Sequence, residues 1–208
     1  MTTKLFGSPV NRREDPRLVS GGGRYIDDLG AEALEAAFVR SPHAHARIQE
    51  IDVSEALAVD GVLAIWTHED LPGPAAEPLP LLIPHPSITA PKTAYALAKD
   101  EVNHVGEAIA MVVATDRYVA EDAASRINVE YERLPVVATI EQARDADIVV
   151  HEGHDDNVGA RFEQNVGNAR AMIDEAPHTL ELDLDFERSA AMPMEGKGVL
   201  ARWNAEDE

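Results

Sequence analysis

Short runs of hydrophobic residues between positions 34 and 67 predict the order strand, strand, short helix, strand. The runs are LEAAFVR (34–40), ARIQEID (46–52), SEALAV (54–59) and VLAIWT (62–67). Ser54 is a suitable N-cap for the helix, and Gly61 is suited to ending it. The β-branched and aromatic content of the last run is typical of a strand.

A second strand, helix, strand unit follows a proline-rich passage. Seven prolines between residues 72 and 91 forbid a regular helix or a central strand there and predict a long ordered loop or an exposed connector. Apolar residues then predict a buried strand over EAIAMVVAT (107–115), a helix over DRYVAEDAASRI (116–127) and a strand over NVEYERLP (128–135).

The last third of the chain contains a helix candidate at 139–146, a strand candidate DIVVH at 147–151 and a polar loop at 152–159. Beyond a helix candidate at 167–176, the stretch HTLELDLDFERS (178–189) alternates strictly, with Leu180, Leu182, Leu184 and Phe186 on one face and Glu181, Asp183, Asp185 and Glu187 on the other. We predict that GVLARWN (198–204) pairs with it. Such a pair needs the first domain or another chain to cover its apolar face.

Composition and charge exclude several classes of function. The 208 residues are 45% hydrophobic and 27% charged, which is typical of a soluble globular protein, and together with the predicted elements this indicates a two-part α+β protein. The net charge of -20 disfavours nucleic acid and anionic membranes as partners. The absence of cysteine excludes disulfides, thiolate-bound zinc, iron–sulfur ligation and a cysteine nucleophile in this chain. The N-terminus lacks the apolar segment of a secretory signal, so a cytoplasmic location is expected.

The histidines allow several interpretations. His43 and His45 would share one face of a strand and could reach one metal ion, with His104 as a further ligand, whereas in a turn they would be two polar side chains. His151 and His154 in HEGHDD either hold a divalent cation loosely or belong to a solvated loop. The acidic face at 181–187 is either exposed to solvent or faces a partner subunit.

Other candidate chemistry is weaker. Gly21 to Gly23 lack the GxGxxG spacing and a following Lys-Ser/Thr, so a loop in an N-terminal arm is favoured over a phosphate cradle. No GxSxG motif or Cys–His arrangement is present. Spacing and composition alone therefore identify no active site.

The chain contains, in this order, the motifs REDPRLVSGGGRYIDD, AAFVRSPHAHARI, HVGEAIAMVVA, AEDAASRINVEYERLP and AMPMEGKGVLARW. Together they are similar to the start of the molybdenum-binding large subunit of the xanthine dehydrogenase, aldehyde oxidase and carbon monoxide dehydrogenase family. The resemblance implies an N-terminal arm (1–17), an a/b hammerhead domain (18–136), a linker (137–160) and the beginning of the first molybdenum-binding domain (161–208), an incomplete α+β segment. In this family the SPHAHARI stretch lies in a strand-turn-strand region, where the two histidines are expected to shape a turn.

The family resemblance implies hydroxylation of an aldehyde, purine or other heterocycle with water as the oxygen source. The assembled enzyme would contain molybdenum bound to a pterin, in its cytosine dinucleotide form, with [2Fe–2S] clusters and FAD on partner domains or subunits. The resemblance implies that the cofactor loops and catalytic glutamate of the family are expected beyond this sequence. Glu195 matches a family Pro-Met-Glu motif, but Gly196 and Lys197 replace the usual Pro and Arg.

Two hypotheses of function follow. In the first, the chain is the N-terminal portion or a split subunit of a molybdenum hydroxylase, where it scaffolds an active site supplied mainly by another chain. In the second, it is a stand-alone, non-catalytic hammerhead module for binding or interaction. Neither hypothesis assigns a catalytic, cofactor-binding or metal-ligating residue to this chain.

Overall fold

The computed structural model describes residues 7–29, 32–145, 147–184, 186 and 189–204. The chain divides into two compact units, one formed by Ala33–Ala176 and the other by Met1–Glu32 with Pro177–Glu208. Across the described residues, no helix has the length and apolar character needed to span a bilayer.

The larger unit contains the strands and most of the helices. Its strands are β1 (Glu35–Arg40), β2 (Ala46–Asp52), β3 (Val62–Trp66), β4 (Glu101–Val102), β5 (Ala108–Ala114) and β6 (Asn128–Arg133). The helices are α1 (Asp15–Val19), which precedes this unit, and α2 (Ser54–Leu57), α3 (Arg117–Ala124), α4 (Ile140–Asp145) and α5 (Ala169–Asp174) within it. The predicted α+β class is confirmed, and both strand, helix, strand units are present.

The first sheet has the antiparallel order β1-β5-β3. Its central strand β5 places Ala110 and Val112 in a core with Ala56 of α2 and Ala123 of α3. Helix α3 has a side-chain N-cap, because the Asp116 carboxylate accepts hydrogen bonds from the backbone N–H groups of residues 118 and 119. Burial of small and β-branched side chains therefore fixes the helices on one side of this sheet.

The predicted cap of α2 is wrong. Val53 occupies the N-cap position, and Ser54 instead donates its backbone N–H to the Asp52 carboxylate over 2.9 Å. An aspartate two residues before the helix thus takes the role predicted for the serine. Gly61 lies in the turn before β3 with a φ of 92°, which favours glycine.

The second sheet has the antiparallel order β4-β2-β6. It contributes Ala46 and Val102 to a second core. This core also contains Ile109 of β5 and Ala98, which precedes β4. Strand β4 has only two residues and was not predicted, since two residues carry no periodicity. Its position matters because it brings Glu101 beside the turn that precedes β2.

The proline-rich passage is ordered, as one of the two predicted alternatives requires. It contains the 3-10 helix Gly73–Ala76, and Ile88 forms an isolated antiparallel bridge with Ala160. Backbone hydrogen bonds from Thr89 to Gly159 and from Arg161 to Ser87 extend this contact. The prolines therefore suppress regular structure without preventing a defined path.

The strand predicted at 147–151 is not formed. The Asn157 side chain accepts a hydrogen bond from the Val150 N–H at 2.9 Å and donates to the Ile148 carbonyl at 2.8 Å. It also donates to the Ala143 carbonyl at 3.3 Å. One amide side chain thus satisfies backbone groups that a neighbouring strand would otherwise bond, and the segment remains a loop.

In the smaller unit, α1 ends in a Schellman motif at the triple glycine. Gly22 donates to the Arg17 carbonyl at 2.7 Å, Gly21 donates to the Leu18 carbonyl at 3.2 Å, and Gly21 has a φ of 76°. Pro16 at the start of this short helix is compatible with its first turn. The glycines therefore end a helix that the sequence did not predict.

The predicted C-terminal strand pair is absent from the described residues of 178–189 and 198–204; positions 185, 187 and 188 lie outside the described residues. Leu180, Leu182, Leu184 and Phe186 are 66–84% exposed. An isolated amphipathic strand gains little stability without a neighbouring strand to bond its backbone and a layer to cover its apolar face. This explains why the alternating sequence does not form the predicted strand here.

Candidate functional site

The SPHAH stretch forms a turn before β2. Ser41 is buried; its hydroxyl donates to the His43 carbonyl at 2.8 Å and accepts from the His43 N–H at 3.0 Å. Since β2 begins at Ala46, neither histidine lies on a strand, and the strand geometry considered for a shared metal is wrong. The stretch connects β1 and β2, and the hydrogen bonds within it come from Ser41 and the His43 backbone, whereas both imidazole rings contact residues outside it.

The two imidazole rings have different partners. His43 packs edge-on against Tyr131, with ring centroids 4.8 Å apart. His45 is 8% exposed, and its Nδ1 lies 2.6 Å from the Pro135 carbonyl oxygen. A carbonyl only accepts, so Nδ1 carries a proton and donates it to Pro135, and Nε2 is the other ring nitrogen. This Nε2 lies 3.9 Å from Glu101 and has no hydrogen-bond partner.

A pocket of about 490 Å³ opens beside this turn in the larger unit. Its wall is formed by four segments: strand β4, the loop that follows β4, the loop at 151–153 and the segment at 92–95. Its charged lining consists of four carboxylates and three basic groups: Asp100, Glu101, Glu107, Glu152, Arg47, Lys92 and Lys99.

Two glutamates organise the interior of this pocket. Glu101 lies between the Lys92 ammonium, at 3.9 Å, and the His45 ring. Glu107 accepts the backbone N–H of Asn103 at 2.6 Å and lies 3.5 Å from Nδ1 of His104. The Asn103 side-chain oxygen is buried without a hydrogen-bond partner. The pocket therefore holds paired charges together with an unsatisfied acceptor.

The HEGHDD loop contributes His151 to this pocket and to a neighbouring cavity of about 390 Å³. Burial lowers the pKa of His151, and the positive charge of Lys92 lowers it further, against the opposing effect of Glu101. Asp156 pairs with Arg161 at 3.0 Å. Among the described residues, no three His, Asp or Glu side chains are grouped so that they could hold a metal ion.

Sequence reasoning missed most of this pocket. The segment between the proline-rich passage and β5 contains Lys92, Glu101 and Asn103. It has no periodic hydrophobic pattern from which their positions in the fold could be predicted. The available signal was the spacing of His104 and Glu107, which places a titratable pair just before a buried strand. That signal is weak without the turn that brings His45 close.

Glu195, in the smaller unit, has a structural contact. Its carboxylate accepts the backbone N–H of Ile26 at 2.6 Å, at the start of the 3-10 helix Ile26–Leu29. A carboxylate at this position satisfies a free N–H of the first turn. Gly198 lies against Ile26 as well, since a Cβ there would be 3.0 Å from the Ile26 side chain. The Pro-Met-Glu motif thus anchors the N-terminal segment.

The larger unit thus combines two small sheets with a pocket of paired charges, and no three-ligand metal cluster is present among the described residues. Residues 20–135 match the family described as aldehyde oxidase and xanthine dehydrogenase, a/b hammerhead domain. The chain therefore belongs to the aldehyde oxidase and xanthine dehydrogenase family, and the predicted hammerhead is confirmed.

Two related proteins agree with this assignment. The chain is 37% identical to the nicotine 6-hydroxylase large subunit of Paenarthrobacter nicotinovorans over 97% of its own length and 24% of the relative's. It is 36% identical to the xanthine dehydrogenase molybdenum-binding subunit of Escherichia coli, over 78% of this chain and 22% of that one. The chain thus spans about a quarter of the length of these relatives.

A solved structure shows the same fold. The crystal structure of quinoline 2-oxidoreductase from Pseudomonas putida 86 superposes with a TM-score of 0.68 and 37% identity, covering 81% of this chain and 21% of that one. The similarity extends beyond residues 20–135, because it covers more of the chain than the hammerhead match does.

The pocket does not fit the molybdenum–pterin cofactor that the family implies. A pterin dinucleotide brings anionic phosphates, whereas carboxylates outnumber basic groups in this lining. Two of the three cations are also engaged, Lys92 with Glu101 at 3.9 Å and Arg47 with Glu132 at 2.9 Å. No residue of the pocket is therefore assigned to the cofactor, and no chemical step is derived through it.

Proposed function

We propose that this chain supplies the hammerhead-containing portion of the large subunit of a molybdenum hydroxylase, where it scaffolds an active site carried mainly by the rest of the enzyme. The observation that carries the proposal is the extent of similarity: nearly the whole chain aligns with about a quarter of a hydroxylase large subunit. The buried core of the larger unit, which includes β5 and α3, provides a rigid support for such a role.

The domain organisation is part of this proposal. We assign residues 1–17 to an arm, 18–136 to the hammerhead, 137–160 to a linker and 161–208 to the beginning of the first molybdenum-binding domain. The exposed apolar residues of 180–186 support the last assignment, because they require neighbouring structure to become buried.

The assembled enzyme would hydroxylate an aldehyde, a purine or another heterocycle with oxygen from water. Nicotine and quinoline, which appear in the names of two relatives, are both nitrogen heterocycles, and this supports a heterocyclic substrate. Molybdenum with a pterin cytosine dinucleotide would supply the oxidation chemistry, and [2Fe–2S] and FAD subunits would remove the electrons. We place the complex in the cytoplasm.

Affinity purification from the source organism tests this proposal. The chain, tagged at its own locus, should carry with it the remaining large-subunit sequence, in the same or a separate polypeptide, and iron–sulfur and flavin subunits identified by mass spectrometry. The purified material should hydroxylate at least one of nicotine, quinoline, xanthine or an aldehyde, with label incorporated from ¹⁸O-water. A chain that purifies alone and lacks this activity would favour the stand-alone hammerhead module instead.

A further inference from the structure

Strand β5 is apolar on both of its faces. All seven of its residues, AIAMVVA, are hydrophobic. On one face, Ala110 and Val112 are fully buried against α2 and α3. An antiparallel sheet with one solvated face normally alternates apolar and polar residues, whereas a strand covered on both sides is continuously apolar. Ile109, on the other face, is buried in the second core, which covers that face at one end of the strand, whereas Met111 and Val113 on the same face are only half-buried. The composition of β5 therefore indicates a further layer over Met111 and Val113.

That other face presents two rows of apolar side chains across the sheet. Phe38 of β1 and Trp66 of β3 both lie opposite Met111 of β5, and directly opposed residues share one face. The second row, in the same register, is Ala36, Val113 and Ala64. We call these six residues the open face.

Within the larger unit, the open face is only partly covered: Ala64, Met111 and Val113 are half-buried. Phe38 is 44% exposed and Trp66 is 40% exposed. Neither residue belongs to the two buried clusters, and Met111 and Val113 do not either. The Arg40 guanidinium lies 5.4 Å from the Phe38 ring centroid and places a positive charge at the edge of the face. A contiguous apolar surface with a charged rim is typical of an interaction site.

The charge of the chain decides between possible occupants. Two copies, each with a formal charge of -20, would repel one another across a shared interface. A different polypeptide meets no such obligatory penalty. The relatives contain about three quarters of their length outside the region matched by this chain, which provides a large surface for packing.

We propose that the open face is the surface on which the remaining part of the molybdenum hydroxylase large subunit packs, through an apolar patch bearing a carboxylate near Arg40. This inference rests on the proposed function. It adds the location of the contact: Phe38, Met111 and Trp66 form its centre, and the helical side of the sheet stays outside it.

Hydroxyl-radical footprinting with mass spectrometry tests the contact residue by residue, since Trp, Met and Phe side chains oxidise readily. The samples are the isolated 208-residue chain and the complex purified from the source organism. We expect oxidation of Trp66 and Met111 to fall severalfold in the complex. Tyr118 of α3, which is exposed on the helical side, serves as the internal control and should be oxidised equally in both samples.

Substitution provides an independent measurement. Phe38→Ser should weaken assembly roughly tenfold or more, as expected for an aromatic anchor, without changing the thermal midpoint of the isolated chain. Tyr118→Ser is the matched control and should assemble like the wild type. If the complex forms but Trp66 stays equally reactive and Phe38→Ser assembles normally, this inference is overturned while the proposed function stands. If no complex exists, both are overturned.

Discussion

His45 ties the turn before β2 to the residues after β6, because its Nδ1 lies 2.6 Å from the carbonyl oxygen of Pro135. The ring is almost completely buried, and its second nitrogen faces Glu101 at 3.9 Å. One side chain therefore links two loops that are ninety positions apart in sequence.

Replacement of His45 should destabilise the larger unit. His45→Ala removes a buried hydrogen bond and its packing, and we expect a loss of about 2 kcal/mol in the free energy of unfolding, measured by urea denaturation. His45→Asn, whose side-chain amide can donate from nearly the same position as Nδ1, should recover about half of this loss. Equal losses for both variants would show that the Pro135 contact contributes nothing.

Gly61 should be intolerant of a side chain. Its φ is 92°, and an added Cβ would lie 2.8 Å from the Thr115 hydroxyl and 3.3 Å from Val119. Gly61→Ala should therefore lower the free energy of unfolding by about 2 kcal/mol or more, because of backbone strain and the clash with α3.

Gly106→Ala is the matched control for that substitution. Gly106 has a similar φ of 89°, but an added Cβ would meet nothing within 4 Å. Gly106→Ala should therefore lower the free energy of unfolding only by the backbone-strain component, about 1 kcal/mol. The same thermal denaturation series measures both variants, and equal costs would contradict a steric contribution at Gly61.

These positions show what the sequence could and could not predict. Strands β1, β2, β3, β5 and β6 were predicted because alternation and continuous apolar runs reflect burial directly. The strand prediction at 147–151 was wrong because the Asn157 side chain bonds the backbone groups that a neighbouring strand would bond. The hydrophobic pattern carries no information about such a side-chain contact. The pocket was missed because Arg47 of β2 and Glu101 of β4 come together in its lining through the pairing of these two strands, which are far apart in sequence.

Asn157 should control the local stability of the 147–159 loop. Asn157→Ala removes all three of its side-chain hydrogen bonds, so backbone amides in this loop should exchange with deuterium at least tenfold faster, which corresponds to about 1.4 kcal/mol. Asn157→Asp keeps the acceptor but loses the donors and should give an intermediate rate. Unchanged exchange in both variants would contradict the role of this side chain.

His151 should make the larger unit less stable in acid. Its pKa is lowered in the folded chain, mainly by burial, so the unfolded chain binds the proton more readily. The stability it contributes is present above the unfolded value of about 6.5 and is lost as the pH falls through the folded value.

Urea midpoints between pH 8 and pH 5 measure this effect. His151→Gln should flatten the decline relative to the wild type, because glutamine does not take up a proton. His178→Gln, which changes an exposed histidine, should keep the wild-type profile. A decline in His151→Gln as steep as that of the wild type would assign the pH dependence to other groups.

The molybdenum content of the complex purified from the source organism tests the central claim most directly. Inductively coupled plasma mass spectrometry, combined with quantification of this chain, should give a near-stoichiometric ratio of molybdenum to chain in the complex. A chain that purifies without partners and without molybdenum would contradict its assignment to a molybdenum hydroxylase.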